Sequence, residues 1–330
     1  MEYRTLGRTG LQVSVLGIGG WQLSGPLIID GLPDGFPELG RERAISIIRG
    51  CGDLGINLID TAEIYGDGEG ERRIGKAIEG QRDRWILSSK FGLRRGLKGE
   101  RVINCHPDTI RPSLERSLRY LNTDYIDIYL YHSPPKPEWI EPGKEVLEKL
   151  KQEGKIRFCG ISTDNAHSLQ LLVDRDAVDV VNCAQSLLKC PQKILDLARE
   201  NNLGMISRGA LLAGKLSGKY FYRSPNISAD DFRYQRKFNW SKYQSYEKLI
   251  PEGATMVGMS LRYLLDLDHT QTILIGGKSL EHYQEALTAL KMKPLDSQIV
   301  GEIDRARAWE NTILRVKSLL RPIKKIIQAS

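Results

Sequence analysis

Eight short apolar runs punctuate this chain, and stretches with helical periodicity lie between them. The runs fall near Val15–Gly19, Asn57–Thr61, Trp85–Lys90, Ile126–His132, Ile156–Ser162, Val178–Asn182, Gly204–Ser207 and Thr272–Gly276. Short apolar runs that alternate with amphipathic segments indicate parallel strands joined by crossover helices. The spacing predicts helices over Arg41–Leu54, Pro107–Leu121, Glu141–Gln152, Asn165–Val173, Pro191–Asn201 and Ser279–Leu290. In the first of these, Ala44, Ile47, Ile48 and Cys51 form one stripe. Eight strand–helix units in about 270 residues fit an α/β fold of the (β/α)8 or TIM-barrel type. A doubly wound open sheet is the alternative, weakened because no GxGxxG follows any of the runs. Ahead of the first run, Tyr3–Leu6, a Gly7–Gly10 turn and Leu11–Val15 read as an N-terminal β-hairpin.

Two connections exceed the usual loop length, Gln22–Gly40 and about Gly218–Gly258. They follow the first and seventh strands, so a barrel would place both over the face formed by its strand C-termini. The second is rich in aromatics: Tyr220, Phe221, Tyr222, Phe232, Tyr234, Phe238, Trp240, Tyr243 and Tyr246. It reads either as a lid or as packing against the barrel rim. With no repeat and no flexible linker, residues 1–330 are expected to form one domain, with a helical extension over about 301–330.

Composition narrows the function classes. No apolar run approaches the roughly 20 residues that span a bilayer, and nothing after Met1-Glu2-Tyr3-Arg4 resembles a secretory h-region. The five cysteines are odd in number and form no CxxC pair, which predicts reduced thiols, no zinc site and a cytoplasmic location. Net charge is +7, but Arg315, Lys317, Arg321, Lys324 and Lys325 supply five of those charges from an acid-free C-terminal stretch. A nucleic-acid footprint over the whole domain is therefore not indicated. In the tail, Ile313, Val316, Leu319, Leu320 and Ile323 recur at helical spacing, interrupted by Pro322. A helix packed on the barrel is the favoured reading over contact with a membrane surface, and stable insertion is not expected.

Polar residues at strand C-termini are the candidates for catalysis in such a barrel. Asp60 ends the second strand, Tyr65 follows in Asp60-Thr61-Ala62-Glu63-Ile64-Tyr65-Gly66, Lys90 ends the third and His132 the fourth. A free tyrosine, with a pKa near 10, is a poor proton donor at neutral pH. A lysine ammonium beside it stabilises the phenolate, and Asp60 can keep that lysine charged. A histidine can orient a carbonyl oxygen or share in proton transfer. Each residue also has a structural reading: Asp60 as a helix cap, Tyr65 as a packed loop aromatic, His132 as a partner for nearby backbone. Lys90 fits such a reading least well, because lysine is seldom buried unpaired. The order of all four across three strand ends points to a site that protonates a carbonyl oxygen.

These residues carry a resemblance to the aldo-keto reductases that runs over nearly the whole chain. Tyr3–Leu11 with Val13-Ser14 resembles the family's hairpin, Gly17-Ile18-Gly19-Gly20-Trp21 its first strand, and Asp60-Thr61-Ala62, Tyr65-Gly66 and Glu69–Gly75 its most specific signature. The resemblance implies a barrel that reduces an aldehyde, ketone or keto-sugar with NADPH, with Asp60, Tyr65, Lys90 and His132 as catalytic tetrad and Tyr65 as acid. It places Trp21 beside Tyr65 and His132 in the substrate pocket. It assigns Ser162, Thr163 and Asn182 to the nicotinamide, Arg208, Gly209, Leu211 and Gly214 to the pyrophosphate, and Gly276, Lys278, Ser279, His282 and Glu285 to the adenosine end. Lys278 and Ser279 would meet the 2′-phosphate, which favours NADPH over NADH. Thr163 and Ala286 stand where the family usually has asparagine, His282 where it often has glutamine, and Gln185 where many bacterial relatives have tyrosine. The implied partner is a small carbonyl compound, with oligomeric state left open. The alternative is a nicotinamide-binding regulatory subunit of the same fold with little turnover, as in potassium-channel β subunits.

Overall fold

A computed structural model describes residues 1–236, 239–309 and 312. Its central feature is a closed barrel of eight parallel strands. These are β1 (Leu16–Gly19), β2 (Leu58–Asp60), β3 (Ile86–Phe91), β4 (Ile126–Tyr131), β5 (Ile156–Ser162), β6 (Val180–Ala184), β7 (Gly204–Arg208) and β8 (Thr272–Ile275). Neighbours in sequence are neighbours in space, and β8 closes on β1 through Leu274 opposite Gly17. Among the described residues the helices that follow the strands are α1 (Arg41–Asp53), α2 (Glu69–Ala77), α3 (Pro107–Leu121), α4 (Ile140–Gln152), α5 (Ala166–Val173), α6 (Gln192–Glu200), α7 (Met256–Leu265) and α8 (Leu280–Ala289), and residues 297–309 are also helical.

Strand alternation divides the apolar residues between two cores. Leu58, Ile86, Ile128, Leu130, Val180, Ile206 and Leu274 fill the barrel interior, where Leu6, Leu11 and Val13 of the hairpin join them. The hairpin strands Tyr3–Thr5 and Gln12–Ser14 pair antiparallel. Arg8 N–H donates to Asn202 O at 2.6 Å, and the Arg4 and Arg8 guanidinium groups donate to Thr270 O and Val178 O. These carbonyls precede β7, β8 and β6, so the hairpin plugs the barrel's N-terminal end and leaves the other end for the site. The second and larger core lies between sheet and helices and includes Ile48, Phe91, Leu114, Tyr129, Tyr131 and Leu261.

Local signals explain most helix ends. Pro107 opens α3, and His106 caps it by accepting from Asp108 N–H. Asn165 caps α5 and Thr255 caps α7 through their side-chain oxygens.

The structure departs from the expected pattern in three places. Two helices, α2 and α7, were not expected, so the connection after β7 ends at Thr255 rather than near Gly258. The sixth strand runs Val180–Ala184 rather than from Val178, because Asp179 turns its carboxylate to Cys159 N–H and to Lys151 instead of entering the strand. Two small ribbons also form on the C-terminal face, Ile28–Ile29 with Leu32–Pro33 and Leu93–Arg95 with Arg101–Ile103. The helical extension lies within the described residues as far as 309. Most of the rest, including the apolar stripe from Ile313 to Ile323, lies outside them, as does Phe238. All five cysteines are free thiols.

Candidate active site

The four candidate catalytic residues converge at the C-terminal mouth. In β3 the alternation sends Ser88 and Lys90 into the barrel and Ser89 outward to Glu71, whose Oε1 accepts from the Ser89 hydroxyl at 2.7 Å. Lys90 Nζ donates to Asp60 Oδ2 at 2.6 Å and to Thr61 O at 2.7 Å. The remaining Asp60 oxygen accepts from Ser88 Oγ at 2.9 Å and from Asn182 Nδ2 at 3.3 Å. Both charged side chains are buried, so each provides most of the solvation the other has lost.

Tyr65 reaches this pair because the chain turns sharply after it. Gly66, Asp67 and Gly68 all adopt positive φ, at 59°, 53° and 84°. A Cβ at Gly66 would collide with the carbonyl of Ser24, so glycine is required there. Lys90 Nζ lies 5.1 Å from the centre of the Tyr65 ring. Burial raises the Tyr65 pKa, with Lys90 as the largest opposing influence and Asp60 acting against Lys90. The hydroxyl is therefore protonated at neutral pH and faces a cation that stabilises its anion.

His132 follows β4 directly, its ring edge-on to Tyr65 at 5.8 Å. Its Nδ1 is buried without a hydrogen-bond partner among the described residues. Burial, then the charges of Lys90, Arg208 and Arg101, hold its pKa well below the usual histidine range, so the ring is neutral. A neutral imidazole beside a protonated phenol can present a hydrogen bond to a carbonyl oxygen without competing for the proton.

Trp21 stacks 6.2 Å from Tyr65 and lies against Phe36 and Phe232 at 5.1 and 4.5 Å. Phe232 comes from the long connection after β7, and its N–H donates to Gly35 O at 2.9 Å. That part of the aromatic-rich segment therefore does reach across the mouth. Phe36 was not singled out in the sequence, because nothing local marks it as facing Trp21.

The residues assigned to a cofactor line the same face. Ser162 and Asn182 are opposite each other in the β5–β6 register, and the Asn182 Oδ1 is buried with no partner among the described residues. Asn182 is the middle residue of its strand, not the last. Thr163 Oγ1 accepts from Asn165 N–H. Arg208 ends β7 and pairs with Asp164 at 2.8 Å. Gly209 and Gly214 have φ of 74° and 95°, and Leu211 begins the turn between them. Gly276 packs against the Gln22 side chain. Lys278 and Ser279 open α8, with Lys278 Nζ 3.8 Å from Asp231 and 4.8 Å from the Phe36 ring centre. His282 Nδ1 accepts from Lys278 N–H, and Glu285 pairs with Lys219. Gln185, in contrast, turns to Ser207 and Thr270 and stays out of this group. An Asn182 amide oxygen with no partner among the described residues, and a cation at the start of α8, suit a nicotinamide dinucleotide. Ser88, Asp164 and Asp231 were missed. Only Ser88 had a sequence signal, its two-residue spacing from Lys90.

Comparison with known proteins agrees with the geometry. The chain is 29% identical to aldo-keto reductase YhdN of Bacillus subtilis (strain 168), with 95% of each chain covered. It is 28% identical to the NADH-specific methylglyoxal reductase of Escherichia coli (strain K12), covering 94% of this chain and all of that one. Among solved structures it resembles the holo form of an aldo-keto reductase from Bacillus halodurans, with a TM-score of 0.78 and 27% identity over 92% of this chain and 96% of that one. A glycerol dehydrogenase from Gluconobacter oxydans gives a TM-score of 0.76 and 26% identity over 89% and 91%. The model of the aldo/keto reductase family matches residues 15–308. With these strand ends, this barrel and that match across most of its length, the chain is a member of the aldo/keto reductase family, oxidoreductases that work with nicotinamide cofactors.

Proposed function

We propose that the protein is an NADPH-dependent carbonyl reductase in which Tyr65 is the general acid. The observation that carries this reading is the convergence of Tyr65, Lys90, Asp60 and His132 at one barrel mouth. When bound, the nicotinamide supplies the hydride. Ser162, Thr163 and Asn182 would hold its carboxamide end. Arg208, Gly209, Leu211 and Gly214 would hold the pyrophosphate, and Gly276, Lys278, Ser279, His282 and Glu285 the adenosine end.

The chain's own groups account for the proton. His132, neutral, donates a hydrogen bond that fixes the carbonyl oxygen near the Tyr65 hydroxyl. Tyr65 gives its proton to that oxygen as negative charge develops there. Lys90 stabilises the phenolate left behind, and Asp60 keeps Lys90 charged and aimed. In the oxidative direction the same phenolate accepts the alcohol proton. Trp21, Phe36 and Phe232 form an apolar wall that excludes water from one side of the reacting carbonyl.

Lys278 supports NADPH over NADH, since an ammonium at a helix start suits a phosphate. The E. coli relative is named as NADH-specific, so both cofactors belong in the test. Oxidation of NADPH and NADH is followed against aromatic, aliphatic and sugar carbonyls, for the native protein and for Tyr65→Phe. Turnover with NADPH that disappears in the variant while cofactor binding persists is the expected result. Undiminished rates in Tyr65→Phe would overturn the assignment of the acid.

A further inference from the structure

The exposed large apolar side chains among the described residues are not spread evenly. Six of the nine, Ile28, Leu32, Leu97, Ile103, Tyr222 and Tyr234, belong to the connections after β1, β3 and β7. All three connections leave the C-terminal ends of strands, so these side chains crown the barrel mouth. In the strand order β7, β8, β1, β2, β3, the three loops occupy alternate positions around the rim.

The loops after β1 and β3 form one raised unit. Asp30 N–H donates to Gly99 O at 2.9 Å, Arg101 N–H to Asp30 Oδ1 at 3.0 Å, and Arg95 Nε to Ile28 O at 3.1 Å. At its tip Leu97 is wholly in solvent, with 105% relative exposure, while Ile103, Ile28 and Leu32 are 60%, 49% and 49% exposed. Cations surround these tips. Arg94, Arg95, Lys98 and Arg101 lie on the same hairpin with Glu100 as the one acid. The acids of the neighbouring ribbon, Asp30 and Asp34, both pair with Arg101, at 4.0 and 3.0 Å. Among the described residues, the Arg94 and Lys98 side chains make no hydrogen bond or ion pair, and both are exposed.

We propose that this rim docks on an anionic lipid surface, with Leu97 inserted among the headgroups and Arg94 and Lys98 on lipid phosphates beside it. Two features favour a bilayer over a protein partner. The apolar tips are separate and project from different loops, which suits a deformable surface. The exposed, unpaired Lys98 stands next to them, and lysine is depleted at protein interfaces, whereas an ammonium suits an anionic headgroup layer. Apolar insertion and attraction to anionic lipid act together in interfacial binding. Among the described residues no helix is long and apolar enough to cross a membrane, so the contact is peripheral. It would bring the substrate entrance to the lipid surface, where apolar carbonyl compounds concentrate.

The test is co-sedimentation of the full chain with vesicles of phosphatidylglycerol and phosphatidylcholine, against vesicles of phosphatidylcholine alone. Leu97→Asp and the double variant Arg94→Glu/Lys98→Glu are compared with the native protein. Leu97 is fully exposed and neither cation has a partner, so both variants should melt as the native protein does. Binding to anionic vesicles is expected to fall about tenfold in Leu97→Asp and at least about 25-fold in the double variant, about fivefold for each cation. Turnover of a water-soluble carbonyl should stay unchanged. The proposal is overturned if the native protein ignores anionic vesicles or binds both vesicle types equally. It is also overturned if both variants bind fully, which would move the contact elsewhere, for example to the basic stretch from Arg315 to Lys325. A native dimer that the variants convert to monomer would instead make the rim a contact between copies.

Discussion

Asp60 and Lys90 face each other at 2.6 Å across the upper ends of β2 and β3, with side chains 5% and 1% exposed. A buried ion pair is weak evidence for net stability, but removing one partner strands the other without solvent. Asp60→Ala should therefore cost about 3–5 kcal/mol in urea unfolding, and Lys90→Met a comparable amount. The double variant should cost clearly less than the sum, because neither charge is then left alone. Strict additivity would mean that the two groups are not coupled. Ser88→Ala should cost only about 1 kcal/mol, because Asn182 still donates to the same Asp60 oxygen.

Glu71 sets a pH dependence of stability that has nothing to do with turnover. It is fully buried between α2 and β3, with Ser89 donating to Oε1 and the Ser117 hydroxyl beside the carboxyl group. Burial raises its pKa from 4.5 to about 7, opposed by the Ser89 and Ser117 hydroxyls. The folded state thus holds a proton that the unfolded chain loses above pH 4.5. The stabilising contribution is complete below that value and disappears as pH rises through about 7. Glu71→Gln should leave the unfolding free energy near pH 4 little changed and raise it at pH 8, by at most about 3 kcal/mol. Equal effects of the substitution at both pH values would show that Glu71 titrates normally.

The barrel and the strand-end residues were legible because each is encoded locally. Asp60, Lys90 and His132 terminate apolar runs, and a barrel's strand ends all point to one face. What failed to read depends on tertiary contact. Helix α7 is buried at every residue except Arg262, so it lacks the polar stripe that marks a helix. Helix α2 contains Gly70 and Gly75, poor helix formers, because neighbouring groups leave no room: Ser24 Oγ at the first and the Leu121 backbone at the second. The ribbons at Ile28–Pro33 and Leu93–Ile103 pair too few residues for a local pattern to mark them, and they contact each other through Asp30 and Arg101. Phe36 and Phe232 are distant in sequence, so their meeting over Trp21 could not be inferred from either.

Lys278 offers a test of cofactor choice separate from chemistry. Its ammonium is half-buried beside Asp231, and burial lowers its pKa, opposed by the Asp231 charge. An ammonium already withdrawn from water loses less on meeting a phosphate, and a charge-assisted hydrogen bond there contributes about 1.5–3 kcal/mol. Lys278→Met should weaken NADPH binding about 10- to 100-fold in fluorescence titration and leave NADH almost untouched. Equal loss for both cofactors would mean that Lys278 supports the loop and does not read the 2′-phosphate.

Phe232 ties the connection after β7 to the mouth, and its removal should separate local from global stability. It contacts Trp21 at 4.5 Å and Phe36 at 5.0 Å, while its N–H bonds Gly35 O. Arg233 beside it forks onto Asp231 and donates to Ala213 O at 3.2 Å. The segment is thus anchored by aromatic contact on one side and by polar contacts on the other. Phe232→Ala removes the aromatic anchor, about 1–3 kcal/mol for two ring contacts beyond the apolar burial it also loses. Cleavage within 219–236 under limited proteolysis should speed up about tenfold, while the midpoint of global unfolding shifts little. If the segment also walls the substrate, KM for an aromatic carbonyl should rise several-fold and kcat should change less. A variant with unchanged proteolysis would show that Arg233 and Asp231 hold the segment alone. A rise in KM without faster cleavage would confine Phe232 to substrate contact.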